Sequence, residues 1–276
     1  MANSLSNGVP TALTIAGSDS GGGAGIQADL KAFSALGVYG ASVITAITAQ
    51  NTRAVTAVHG IPTEIIAAQL DAVFDDIRID AVKIGMLATS EIIRTVAEGL
   101  KHQSVPAAAV VLDPVMIAKS GDALLQDEAI SSLRTELLPL ATLLTPNLPE
   151  AAVLLDVEPA ITTNDMEEQG RALLALGPDA VLMKGGHAEG PECVDILVLK
   201  EAPSLHFKVP RIATTHTHGT GCTLSSSVAA GLAKGLSMPD AVAEAHSYLQ
   251  GAISAADTLR IGSGHGPVHH FYRNWI

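Results

Sequence analysis

What most limits how this chain can fold is an alternation along most of its length. Short apolar runs that stop at glycine or polar residues alternate with longer segments whose apolar residues fall at helical spacing. Thr11 to Gly17 is the first such run, and Ala24 to Leu36 follows with Ile26, Leu30, Phe33 and Leu36 on one helix face and Gly37 as a stop. The pattern next predicts strands at Ser42 to Ala49, Ala81 to Gly85, Ala108 to Leu112 and Thr142 to Leu144. Between them it predicts helices at Thr63 to Asp75, Glu91 to His102 and Ala129 to Leu138. Farther on it predicts a helix near Glu167 to Leu176, a strand at Ala180 to Lys184 and a hairpin of Asp195 to Leu199 with Leu205 to Val209. Two closing helices run from about Thr220 to Lys234 and from Pro239 to Thr258. Such alternation builds βαβ units, hence an α/β fold with a mostly parallel sheet and helices on both faces.

The 276 residues suffice for a core without disulfide or metal staples, and with no repeat or linker visible one domain is expected over 1–276, with 1–10 flexible. A chain that is 47% hydrophobic and 16% charged is too apolar to be disordered. Its net charge of −12 and 3% aromatic content offer neither a basic stripe nor a stacking platform, which argues against a nucleic-acid partner. A polyanion would therefore have to be held locally, by backbone N–H groups, a few cations and a divalent metal. Cys193 and Cys222 are too few for a disulfide framework, and Met1 to Pro10 lacks a basic or apolar leader, so a cytoplasmic location is expected. The uncharged stretch Ala32 to Thr52 is broken by Gly37, Gly40, Ser42 and Thr45, which suits a helix end and a buried strand better than a membrane span.

In a parallel sheet the ligand site lies at the carboxyl ends of the strands, and most of the unusual residues fall in those loops. Gly21 to Gly25 includes a loose match to a dinucleotide fingerprint, Gly23-Ala-Gly25-Ile-Gln-Ala28. No Asp or Glu occurs between Asp29 and Glu64 to hold a ribose, and no Walker-type loop occurs, so both nucleotide motifs fail. His218-Gly219-Thr220-Gly221-Cys222 opens a helix and leaves backbone N–H groups for an anion. The same field is expected to lower the Cys222 pKa, whereas a glycine-rich cap with a small buried cysteine is the simpler alternative. Asn147 and Glu150, three apart at another helix start, suit either a water-rich Mg²⁺ site or ordinary capping. Asp113 supplies a carboxylate and Lys184 a cation at strand ends. A zinc site through His216, His218 and Cys222, or through His265, His269 and His270, is rejected because the spacings supply no paired ligands.

Together these segments, with Thr48-Ala49-Gln50-Asn51-Thr52, Lys83-Ile84-Gly85-Met86-Leu87, Leu112-Asp113-Pro114-Val115-Met116 and Met183-Lys184-Gly185-Gly186-His187, run in one order over nearly the whole chain. In that order they resemble the hydroxymethylpyrimidine/phosphomethylpyrimidine kinases of thiamine biosynthesis, members of the ribokinase-like superfamily. The resemblance implies a three-layer α/β/α fold and ATP-dependent phosphorylation of 4-amino-5-hydroxymethyl-2-methylpyrimidine, then of its monophosphate. It assigns Gln50 to the pyrimidine, with Gly17, Asp29, Met86 and Val115 lining that pocket. It assigns Lys184, Asn147 and Asp113 to the nucleotide, and Glu150 with Asp113 to Mg²⁺. Gly219, Thr220, Gly221 and Cys222 become an anion hole, with Cys222 as base where ribokinases carry Asp. A carboxamide such as Gln50 can hold a ring nitrogen and an exocyclic amine together, and a pyridoxal ring has no such amine. A pyridoxal or dual-specificity kinase is the nearest alternative, and a non-catalytic binder a more distant one. The short stretch from Gly17 to Gln50 leaves no space for a separate lid domain, so closure is expected from Ala118 to Ala123 or Gly185 to Gly190. The superfamily resemblance also implies a homodimer.

Overall fold

The structure is a computed structural model that describes residues 8–102, 109–116, 124–186 and 190–275. The N-terminal residues 1–7, His187 and the expected closing segment 118–123 lie outside the described residues. Strand β1 (Thr11–Ala16) leads to α1 (Gly25–Ala35), β2 (Tyr39–Ile44), β3 (Ala46–Gln50), β4 (Val55–Gly60) and α2 (Thr63–Asp76). Then come β5 (Ala81–Ile84), α3 (Ser90–His102), β6 (Ala109–Leu112) and α4 (Asp127–Ser132). The last of these continues through a π turn (Leu133–Leu137) and a 3-10 turn (Leu138–Leu140), where Pro139 has no N–H to extend a helix. After β7 (Leu143–Leu144) follow α5 (Leu148–Leu155), α6 (Thr163–Leu174), β8 (Ala180–Met183), β9 (Glu192–Leu199) and β10 (Leu205–Pro210). Helices α7 (Thr220–Ala233) and α8 (Met238–Ser254) close the fold.

Eight strands form one sheet in the order β10-β9-β8-β7-β6-β5-β1-β2. The six from β8 to β2 are parallel, and β9 and β10 add an antiparallel hairpin. Because side chains alternate along a strand, the sheet feeds two cores. Leu13, Ile15, Val82, Ile84 and Leu112 face the layer holding α2 to α6, whereas Ala12, Ala81, Val111 and Leu143 face α1, α7 and α8. The second layer packs closely because its residues are small: a Cβ on Gly231 of α7 would lie 2.9 Å from that of Ala241 in α8.

The strand expected at Ser42 to Ala49 is two strands. Thr45 N–H still donates to Ala16 O (3.0 Å) and Ala46 O accepts from Ser18 N–H (2.8 Å), but the chain after Ser18 enters the β1–α1 loop and β3 pairs with no strand of the sheet. It pairs instead with β4 as a separate two-stranded hairpin. The sequence pattern did not reveal β4, because its residues are mostly exposed and leave no buried face to give it a period. The hairpin is a short flap and not a lid domain. Helix α6 starts at Thr163, four residues before the expected Glu167, fixed by a capping box between Thr162 and Asp165.

Candidate active site

A cleft of about 1020 Å³ opens along the carboxyl ends of the parallel strands, at the upper end of the size range of ligand pockets. Of the site residues expected from sequence, Gly17, Gln50, Met86, Asp113, Val115, Asn147, Glu150, Lys184, Gly219, Thr220, Gly221 and Cys222 line it. Asp29 does not. It is fully buried beneath the cleft, its Oδ2 2.9 Å from Lys83 Nζ and accepting a bond from Thr14 Oγ1 (2.6 Å). The α1 position that carries it points into the sheet, where only an ion pair makes a carboxylate tolerable.

At one end of the cleft Gln50 closes β3. Ser20 Oγ donates to Gln50 O and accepts from Gln50 N–H, both at 2.8 Å, which ties the flap to the β1–α1 loop. Thr48 Oγ1 lies 3.1 Å from Gln50 Oε1, leaving the amide N–H groups for a ligand. Met86 packs over bare Gly17, where a Cβ would stand 3.3 Å from its sulfur. The loop glycines do not form a phosphate cradle. The N–H groups of Gly21, Gly23 and Ala24 all donate to the Asp19 carboxylate at 2.8 to 2.9 Å, so the dinucleotide motif is satisfied internally.

At the other end Lys184 Nζ lies 2.8 Å from Asp113 Oδ1 and 3.9 Å from Glu150 Oε2. Burial opposes the charge of Asp113, but the ammonium groups of Lys184 and Lys83 outweigh it and hold the carboxyl below its ordinary range. Burial raises Glu150 to about 7, with Asp113 adding to the rise and Lys184 opposing it. Asn147 and Glu150 form a full capping box, each accepting the other's backbone N–H at 2.8 Å, so the capping alternative holds here while both residues still face the cleft. Gly221 adjoins the same cluster: a Cβ there would lie 3.5 Å from Lys184 Nζ and 3.7 Å from Asp113 Oδ2. No side chain caps α7; Thr220 N–H turns back to Thr217 O (3.3 Å), and the N–H groups of Gly221 and Cys222 at the helix start are left for an anion. Gly219 is confined to glycine by φ +81° and by Gly23 O, 1.9 Å from where a Cβ would sit. Among the described residues no three His, Cys, Asp or Glu side chains converge as a metal cage. Two carboxylates beside the uncapped start of α7 instead fit Mg²⁺, which keeps several waters and shares its shell with phosphate oxygens.

The thiol of Cys222 departs from expectation. Burial pushes it up to about 11, and the Lys83 ammonium draws it back only in part against Asp29 and Asp113, so the helix terminus does not leave a thiolate at neutral pH. Lys83 itself stays charged: burial disfavours its ammonium, but the charge and hydrogen bond of Asp29 together with Cys222 and Asp113 more than compensate and raise it above the ordinary lysine range. The sequence reading gave no role to Lys83, although a lysine inside the buried strand Ala81–Ile84 is a signal on composition alone. It likewise passed over Asp195, whose Oδ1 accepts from Gly185 N–H at 2.7 Å and whose Oδ2 lies 2.9 Å from His246 Nε2. Arg211, also lining the cleft, donates to Gly186 O and Gly190 O.

A family model described as phosphomethylpyrimidine kinase matches residues 19–269. A relative from Escherichia coli (strain K12), named hydroxymethylpyrimidine/phosphomethylpyrimidine kinase, is 56% identical over 264 residues, covering 96% of this chain and 98% of its own. The crystal structure of an ADP complex of Bacillus subtilis pyridoxal kinase matches with a TM-score of 0.88 at 39% identity, over 97% of this chain and 100% of that one. The crystal structure of phosphomethylpyrimidine kinase from Clostridium difficile 630 matches with a TM-score of 0.78 at 48% identity, over 88% of this chain and 99% of that one. Backbone likeness spans both kinds of kinase, and sequence identity is higher to the two pyrimidine kinases.

Proposed function

This chain belongs to the phosphomethylpyrimidine kinase family, and on that footing we propose that it phosphorylates the hydroxymethyl group of 4-amino-5-hydroxymethyl-2-methylpyrimidine with ATP. It then phosphorylates the monophosphate to the diphosphate, for thiamine biosynthesis. The observation that carries this reading is the placement of a carboxamide, Gln50, with its N–H groups left for a ligand, in the same cleft as an uncapped helix N-terminus with an adjacent lysine and two carboxylates. Gln50 binds the ring nitrogen and amine, and Gly17, Met86 and Val115 enclose the ring. Lys184 and the N–H groups of Gly219, Gly221 and Cys222 receive the transferring phosphoryl group, since phosphoryl transfer depends chiefly on positioning and charge neutralisation. Asp113 and Glu150 would hold Mg²⁺, with Asn147 beside the phosphates, and the bound cation would supply charge neutralisation at the phosphate oxygens.

In the first step the hydroxyl proton passes to the thiolate form of Cys222, a minor fraction at neutral pH because the thiol stands near 11, so this step is limited by that fraction. The second acceptor is a phosphate with a second pKa of about 6, already ionised, and needs little base. The chain works as one domain, in the cytoplasm and as a homodimer. The dimer is supported by exposed apolar side chains on neighbouring elements, Tyr39 on β2, Ile47 on β3, Val58 on β4 and Ile65 on α2. Among the described residues no helix is long and apolar enough to cross a membrane. The test is ATP consumption by purified protein with Mg²⁺, offering the hydroxymethylpyrimidine, its monophosphate and pyridoxal separately. Turnover of both pyrimidines with little on pyridoxal is expected. Preference for pyridoxal would overturn the role of Gln50, and silence with all three would leave a non-catalytic binder.

A further inference from the structure

We propose that Asp19 and His218 are positioning residues, a buried bridge that fixes the distance between the ring-binding Gln50 and the anion hole at the start of α7. The inference rests on the kinase reading above. The two residues are 199 positions apart in sequence, yet His218 Nε2 lies 2.8 Å from Asp19 Oδ2, with both residues at least 90% buried. Four protein groups converge on the Asp19 carboxylate. Oδ1 accepts from Gly21 N–H, and Oδ2 accepts from Gly23 and Ala24 N–H as well as meeting the imidazole. Its carboxyl stays ionised, since the bond and charge of His218, with the backbone N–H groups of Ala24 and Gly21, prevail over burial.

What the bridge joins gives it its effect. On one side Asp19 shapes the loop whose Ser20 holds the backbone of Gln50. On the other, His218 directly precedes Gly219, and its backbone is strapped to the C-terminal segment through Gly266 O and Val268 N–H. Gly23 is where the two sides touch: a Cβ there would stand 2.3 Å from His218 Cδ2, and Gly23 O is what a Cβ on Gly219 would strike. Acceptor and phosphoryl sites thus meet through one charged hydrogen bond between two bare backbones. A displacement of the reacting atoms by about 1 Å costs about 100-fold in rate, so the bridge is placed to govern turnover without touching substrate.

The test compares His218→Leu, which removes the N–H, with His218→Gln, whose side-chain N–H reaches the place of Nε2. Both are assayed well below their measured Tm with whichever acceptor the unaltered protein turns over. A wrong substrate assignment then appears in wild type, and a wrong role for the bridge only in the variants. His218→Leu is expected to lower kcat about 10- to 100-fold with the KM for ATP within about twofold. Uncoupling is also expected, more ADP being released per phosphorylated product as water takes the place of the misaligned acceptor and yields free phosphate. His218→Gln is expected to restore most of the rate and coupling. Wild-type kcat and coupling in His218→Leu, or equal impairment in the Leu and Gln variants, would overturn the proposal.

Discussion

Replacing Lys83 by Met tests how the floor of the cleft is held together. Lys83 and Asp29 are both fully buried, 2.9 Å apart, and Oδ1 of Asp29 has no hydrogen-bond partner among the described residues. Thr14 donates to the other oxygen, so Lys83 is the counter-charge in contact with this carboxylate. At that separation the attraction is about 6 kcal/mol in an effective dielectric of about 20. Removing one partner of a buried pair costs about 3–5 kcal/mol, because the other is left uncompensated. We expect a loss of about 4 kcal/mol at pH 7.5, a large share of the roughly 5–15 kcal/mol that holds an ordinary domain folded. The sign of the pH dependence follows from the carboxylate left behind. Burial already raises Asp29 against the pull of Lys83 and Thr14, and without the ammonium its folded pKa rises further. At a pH low enough to protonate Asp29 in both proteins the charge contributes no deficit. Above the pH at which wild-type Asp29 ionises the deficit grows by about 1.4 kcal/mol per unit, until the variant's own carboxyl ionises. Urea denaturation of wild type, Lys83→Met and Lys83→Met/Asp29→Asn at pH 5 and 7.5 measures this. The single variant should lose least at pH 5, and the double variant should recover at least half of the loss at pH 7.5. A deficit below 1 kcal/mol at pH 7.5, or one that grows on acidification, would refute the reasoning.

The remaining predictions concern the ligands and the C-terminal segment. With the Cys222 thiol near 11, the first phosphorylation should speed up as pH rises from 7 to 9. Cys222→Ala should lose about 10²- to 10⁴-fold in that step and its pH dependence, and far less in the second; equal losses in single-turnover assays would remove Cys222 as the base. Gln50→Leu should weaken pyrimidine binding in calorimetry about 10- to 100-fold, the worth of one or two hydrogen bonds, while ATP binding stays unchanged. His270, buried against α7 with Nε2 2.9 Å from Thr223 Oγ1, is pushed down to about 3 by burial, with Lys31 and His269 adding to the shift. Because its folded pKa lies below the unfolded value near 6.5, the stability it contributes is complete above pH 6.5. It is lost as pH falls toward 3, at up to about 1.4 kcal/mol per unit. An NMR titration in which His270 protonates near pH 6.5 would contradict this.

The loops after β1, β5, β6, β7 and β8 and before α7 were legible as site-bearing because a parallel sheet gathers strand carboxyl ends at one edge. The residues there were the polar ones standing against apolar runs, so Asp113, Lys184 and Gly219 to Cys222 announced themselves. Asp29 misled because a carboxylate four residues into α1 has the same sequence appearance whether its face meets solvent, ligand or sheet. The turn of the chain into the sheet placed it against Lys83. The same holds for Cys222. Its position at a helix start is written in the sequence, but the depth of burial that raises its pKa is not.

By itself the sequence determined the strand–helix alternation outside the β3–β4 hairpin, the parallel sheet and the family of motifs, since periodicity and glycine placement act over a few residues at a time. Only the tertiary structure decided that β3 leaves the sheet to carry Gln50 on a flap. It alone decided that the glycines of the β1–α1 loop turn their N–H groups to Asp19, and that Asp19 meets His218 across the fold. Those outcomes depend on partners far apart in the chain, and hydrogen bonding and desolvation are settled by what lies within a few ångströms in space.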